Sequence, residues 1–138
     1  MLYPFLPAAE LTDGVEAEVR DLAASLRPAD VDLTEVVTAR GFVAVGVDAL
    51  EPVAAAFRAN WPHLRPYGGR FGPRPPVHVT VALDAAEEEA ERIAAQLAGL
   101  LPVRARAEAL TLAEVTAEGW RLRLSSRSAT RGAGDAEA

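Results

Sequence analysis

The chain has 138 residues, a formal net charge of −6 and no cysteine, and half of its residues are hydrophobic. One domain with a sizeable core is the expectation at this length. Disulfides, thiol catalysis and cysteine-type zinc sites are excluded, and the acidic balance argues against a broad nucleic-acid-coating surface.

In chain order, MLYPFL (1–6) reads as a strand. A helix opens at Asp13 with Glu16 three residues on, the pattern of a capping box. Val15, Val19, Leu22 and Leu26 fall on its apolar face. VDLTEVV (31–37) and GFVAVGV (41–47) are the next strands. A linking helix over 48–61 opens with Asp48 and Glu51 and aligns Val53, Phe57 and Trp61. RPYGGRFGPRPP (65–76) is a loop structured by turns. VHVTVAL (77–83) is a strand, followed by a helix over 84–101 with Asp84 and Glu87 at its start and Ala90, Ile93, Leu97 and Leu101 along one face. VRARAEALTLAEV (103–115) and GWRLRLSS (119–126) are the last strands, and 127–138 reads as a disordered tail. No apolar run approaches the roughly 18 residues of a membrane span. The start lacks a signal-peptide pattern, so a cytoplasmic protein is the simplest reading.

The order is β-α-β-β, a linking helix, then β-α-β-β. The halves also match in letters. LTEVVTARGF (33–42) resembles LAEVTAEGW (112–120), and LAASLRP (22–28) resembles LAGLLP (97–102). Matches in the same order inside the same pattern point to a duplicated unit. The second half leads with a strand carrying His78 and Thr80. Its counterpart is MLYPFL, and setting Met1 against Val81 places the equivalents of His78 and Thr80 just before residue 1.

Side chains alternate across a strand, so His78, Thr80 and Ala82 share one face. Val77, Val79, Val81 and Leu83 take the other, expected against helix 84–101. An imidazole takes or gives a proton near neutral pH, and a hydroxyl two residues away can hold a phosphate oxygen. Displacement at a phosphodiester needs a base for the attacking oxygen and an acid for the leaving one. Two His-x-Thr strands facing each other across a cleft would supply both.

MLYPFLP, WPHLRPYGGRFG and VHVTVAL together resemble the 2′-5′ RNA ligase-like branch of the two-histidine (2H) phosphoesterase superfamily, over about residues 1–126. Members hydrolyse cyclic phosphates or act reversibly on 2′-5′ RNA linkages without an essential metal. The resemblance implies that His78 is a catalytic acid or base and Thr80 a phosphate ligand. It also implies a first His-x-Thr ahead of LYPF, which these 138 residues lack. The expectation is a translation start upstream, and impaired activity in the short form.

His63 is the other imidazole, either a substitute partner or an exposed residue at the end of helix 48–61, where the helix dipole favours it. All 14 basic residues are arginine. A GC-rich coding bias accounts for most of that, although arginine is also the better bidentate phosphate ligand. Arg121 and Arg123 share a face opposite Trp120, Leu122 and Leu124, and Arg104 and Arg106 alternate likewise. With helices covering the other side of each sheet, these arginines would point into the cleft; the alternative is solvated strand charge balanced by Glu108 and Glu114. In the loop, Tyr67 could stack on a base, and Arg70 or Arg74 could meet phosphate. The Gly-Gly there precedes no helix and is not a phosphate cradle.

The leading reading is an α+β fold: a bilobal, duplicated β-α-β-β with antiparallel sheets, outer helices and a central cleft. It forms one domain over 1–126, with halves at about 1–47 and 77–126 joined by 48–76. Catalysis falls to His78 and Thr80, and substrate binding to Tyr67, Arg70, Arg121 and Arg123. The substrate is RNA or a cyclic nucleotide, the state a monomer. No cofactor is expected, since no Walker or Rossmann glycine pattern occurs. The alternative is a non-catalytic RNA- or nucleotide-binding module on the same fold, and the third reading is a plain folded domain.

Overall fold

The computed structural model describes residues 6–128. The expected strand MLYPFL falls almost entirely outside that range, as do residues 129–138 of the expected tail. The fold is α+β: α1 (Asp13–Ser25), β1 (Ala29–Leu33), β2 (Val36–Ala39), β3 (Phe42–Gly46), α2 (Glu51–Asn60), β4 (His78–Ala82), α3 (Glu87–Ala98), β5 (Val103–Ala107), β6 (Ala109–Thr116) and β7 (Gly119–Arg127). Two stretches expected as single strands are each divided. VDLTEVV bends at 34–35 and VRARAEALTLAEV at Glu108, so that one part joins one sheet and the next part another. Neither bend carries Pro or Gly, so alternation ran unbroken through both.

The expected caps shift. Thr12, one residue earlier than expected, caps α1, and its Oγ1 accepts from the Val15 N–H at 3.4 Å. Asp48 lies in a 3-10 turn (Asp48–Leu50) ahead of α2, which starts without a side-chain cap. Asp84 caps nothing: it adopts a left-handed φ of 54°, and α3 starts after Ala86. The acidic start of α3, Glu87, Glu88 and Glu89, complements the helix dipole instead.

The described chain divides into two compact units. One runs over Ala29–Arg106. In it β2, β3 and β4 form an antiparallel sheet in that order, with Val43, Ala44 and Val45 of β3 buried. α3 packs on β2 and β3. The expected packing against Val79, Val81 and Leu83 of β4 does not form, and those three are exposed. The reason lies at the reversal after β4. The Ala85 N–H donates to the Gly41 carbonyl at 3.0 Å, which ties the start of α3 to the β2–β3 turn and leads the helix over the neighbouring strands. Val77 does turn inward, but into a cluster with Val31, Val47 and Ala54, flanked by Leu33 and Leu50. Each buried valine there contributes about 1.5–3 kcal/mol relative to exposure. On α2 the expected face is observed, with Phe57 and Trp61 buried and stacked at 5.4 Å. β1 pairs with β5, where Asp32 meets Arg104 at 3.2 Å and Asp30 meets Arg106 at 2.6 Å.

The other unit is Pro7–Pro28 with residues 107–128. β6 and β7 form an antiparallel hairpin closed at Thr116↔Gly119, and α1 packs on both strands. Val19, Leu22 and Ala23 of α1 and Leu112 of β6 are buried, as the helix periodicity predicts. Thus the helix of the first half covers the hairpin of the second, and the helix of the second half covers strands of the first.

Candidate functional site

β4 begins at His78 straight after Pro75 and Pro76. Antiparallel pairing sets His78 opposite Gly46 and Thr80 opposite Ala44. Residues directly opposite share a face, so the cross-strand partners of the polar pair carry side chains no larger than a methyl. His78, Thr80 and Ala82 are half-buried while Val79 and Val81 are exposed, so strand alternation separates the faces as expected. A register shift lies between Val43 and Ala44, beside Thr80. Such irregularities bend a strand and re-aim its side chains.

Contacts with Phe42 and Pro76 hold the imidazole. The Phe42 ring meets that of His78 edge to face, with centroids 5.3 Å apart and an interplanar angle of 88°. His78 Nδ1 lies 2.8 Å from the Pro76 carbonyl oxygen. A carbonyl only accepts, so Nδ1 carries the proton, and in the neutral ring Nε2 carries the basic lone pair. Neither partner was singled out in the sequence. The signals present were the end of the repeat match at Phe42 and the Pro-Pro step before the strand.

The other candidates form separate local groups. Tyr67 and Arg70 come together around Phe71. The Tyr67 and Phe71 rings meet at 5.2 Å and 84°, and the Arg70 guanidinium carbon is 5.4 Å from the Phe71 centroid. Tyr67 holds a left-handed φ of 55°, rare for a bulky residue, and burial pushes its phenol above the ordinary range. Arg74 and His63 are exposed.

Arg121 and Arg123 belong to the other unit, where both pair with Glu114, as in the alternative of strand charge balanced by carboxylates. Arg123 donates to Glu16 of α1 at 2.8 Å, to Glu114 at 3.3 Å and to the Leu11 carbonyl at 3.2 Å. Arg121 donates to Glu114 at 2.5 and 3.1 Å. α1 therefore covers Arg123, while Arg121 stays exposed beside Glu114, and Trp120 and Leu122 are exposed as well. The reason is Glu16: placed on the inner side of α1, it draws a guanidinium under the helix. The hydrogen bond from Arg121, with the charges of Arg121 and Arg123, holds the Glu114 carboxyl below the usual carboxylate range. Hydrogen bonding to Glu16 raises Arg123 further above its ordinary value. No group of three or more His, Asp or Glu side chains that could hold a metal ion occurs among the described residues.

The pattern around His78 can be compared with known families. The family model of the 2′-5′ RNA ligase superfamily matches residues 1–118. The chain belongs to that superfamily. A search of the curated proteins finds no match. The superfamily match spans the β3–β4 ladder, the PYGG loop and the His78-x-Thr80 strand, and it stops at the turn of the last hairpin. No helix among the described residues of this superfamily member is long and apolar enough to cross a membrane.

Proposed function

We propose that the chain acts on RNA phosphodiester ends, with His78 as the acid–base group and Thr80 as a phosphate ligand. The observation that carries this is the Nδ1–carbonyl contact at 2.8 Å, which holds the imidazole on the face that Thr80 shares. Superfamily membership supports RNA as the substrate class. In opening a 2′,3′-cyclic phosphate, water adds to phosphorus as its proton passes to a base. The bond from phosphorus to one ribose oxygen breaks, and that oxygen takes a proton from an acid. His78 performs one of these two transfers: its Nε2 lone pair accepts, and its imidazolium donates. The cleft between two lobes implied by the repeat belongs to this reading. So do a cytoplasmic location, a monomeric state, base stacking by Tyr67 and a phosphate contact from Arg70. Arg121 and Arg123 join it only by exchanging carboxylate partners for phosphate.

His78→Ala tests the assignment. It should lower hydrolysis of a 2′,3′-cyclic nucleotide by about 10²–10⁴-fold with the thermal transition unchanged, and Thr80→Ala should weaken substrate binding more modestly. In wild type, ¹⁵N shifts should show neutral His78 protonated at Nδ1. Unchanged turnover in His78→Ala would remove the catalytic role. A second reading has one observation in its favour: a single His-x-Thr occurs in the 138 residues. On that reading the chain binds RNA or nucleotide without turnover, and binding that persists with no hydrolysis at any enzyme concentration would select it.

A further inference from the structure

We infer that Phe42 is a positioning residue for the proton transfer assigned to His78: its ring sets the tilt of the imidazole, across a lane over β3 that Ala44 and Gly46 keep clear. This deepens the proposed function and rests on its assignment of His78. Pairing sets His78 opposite Gly46 and Thr80 opposite Ala44. The β2–β3 ladder runs in register from Val36↔Val45 to Ala39↔Phe42, so β3 keeps its alternation, and Phe42, Ala44 and Gly46 share one face. Phe42 is thus four residues along the strand from the one that opposes His78, about 13 Å at the usual rise of a strand. The ring centroids are nevertheless 5.3 Å apart. Both side chains therefore lie along the strands toward each other, past Ala44 and Thr80. A side chain on β3 larger than a methyl would stand between them. Ala44, midway between Phe42 and Gly46, is 0% exposed.

The ring contact supplies a restraint that the hydrogen bond does not. The Pro76 carbonyl holds one ring atom, Nδ1, at 2.8 Å, and the ring plane can still tilt about that point. The Phe42 ring, edge to face at 88°, fixes the plane. A histidine side chain turns about two bonds, so a held atom and a held plane together define where its second nitrogen stands. Proton transfer is sensitive to that placement, since a shift of about 1 Å can cost on the order of 10²-fold in rate. Phe42 carries no proton itself and acts through the imidazole.

The test compares the full chain with Phe42→Leu, which keeps apolar bulk and removes the flat ring. The ring current of Phe42 should displace the His78 ring-proton NMR signals in wild type, and Phe42→Leu should return them toward ordinary values. With a 2′,3′-cyclic nucleotide, kcat should fall about 10–10²-fold while KM stays nearly constant, and Phe42→Tyr, which keeps the ring, should restore both readouts. A purely structural role would lower the thermal transition and leave kcat per folded molecule unchanged. Gly46→Val is the second variant, should Phe42→Leu fail to fold. A Cβ at Gly46 has room, 3.8 Å from Val37 Cγ2, but its branches would stand opposite His78 and should reproduce the loss of kcat with Phe42 intact. Full kcat in Phe42→Leu or in Gly46→Val, or His78 signals that ignore Phe42→Leu, would overturn the inference. The two proposals fail separately. In a chain that hydrolyses nothing, His78 signals that respond to Phe42→Leu uphold the positioning and remove the enzyme reading. Hydrolysis lost in His78→Ala but intact in Phe42→Leu does the reverse.

Discussion

Gly41→Ala probes the tie that places α3 and presents Phe42 to His78. Gly41 has φ +67°, and a Cβ there would lie 2.9 Å from the Ala85 carbonyl oxygen. The left-handed conformation alone costs an alanine about 1–2 kcal/mol, partly offset by the ~0.4–1 kcal/mol gained from restricting the unfolded chain. Moving the Ala85 backbone away strains the hydrogen bond its N–H makes to Gly41, which contributes about 1 kcal/mol, and forced overpacking adds about 1–3 kcal/mol. The sum is a loss of about 2–5 kcal/mol, a large part of the roughly 5–15 kcal/mol of a small domain. Gly72→Ala is the control: its φ is +80°, but a Cβ there meets nothing within 4 Å, so it should cost about 1 kcal/mol or less. Urea unfolding followed by Trp61, in a Trp120→Phe background, reads the Ala29–Arg106 unit that contains both glycines. Equal midpoints for Gly41→Ala and Gly72→Ala would show that the close approach to Ala85 does not constrain the protein and that α3 is placed by something else.

Asp84→Gly should stabilise the protein by about 1 kcal/mol in the same assay, because a left-handed residue that caps no helix is relieved. Glu114→Gln tests the pH dependence. Glu114 is held below the usual carboxylate range in the folded state, so its stabilisation is complete above that range and is lost as pH falls through the folded value. Thermal scans should show the variant less stable at neutral pH and the gap closing on acidification; a gap independent of pH would refute the network's role.

Much of the local order was legible in the sequence. The apolar periods of α1 and α2, the division of β4 into a valine face and a His78–Thr80 face, and the tight hairpins follow from spacings of 3.6 and 2 that a short segment must satisfy by itself. Helix starts were less so, because several polar residues near each start compete for the cap and only backbone conformation chooses among them, as with Thr12 over Asp13 and the left-handed turn at Asp84. Which sheet each helix covers was decided by tertiary structure alone. The Ala85–Gly41 hydrogen bond and the Glu16–Arg123 pair join residues 44 and 107 positions apart, and no periodicity encodes such a contact. The second of these contacts holds Arg123 against α1, while Trp120 stays exposed. Alternation along a strand says which residues share a face, whereas only the packed neighbour determines which of the two faces meets solvent.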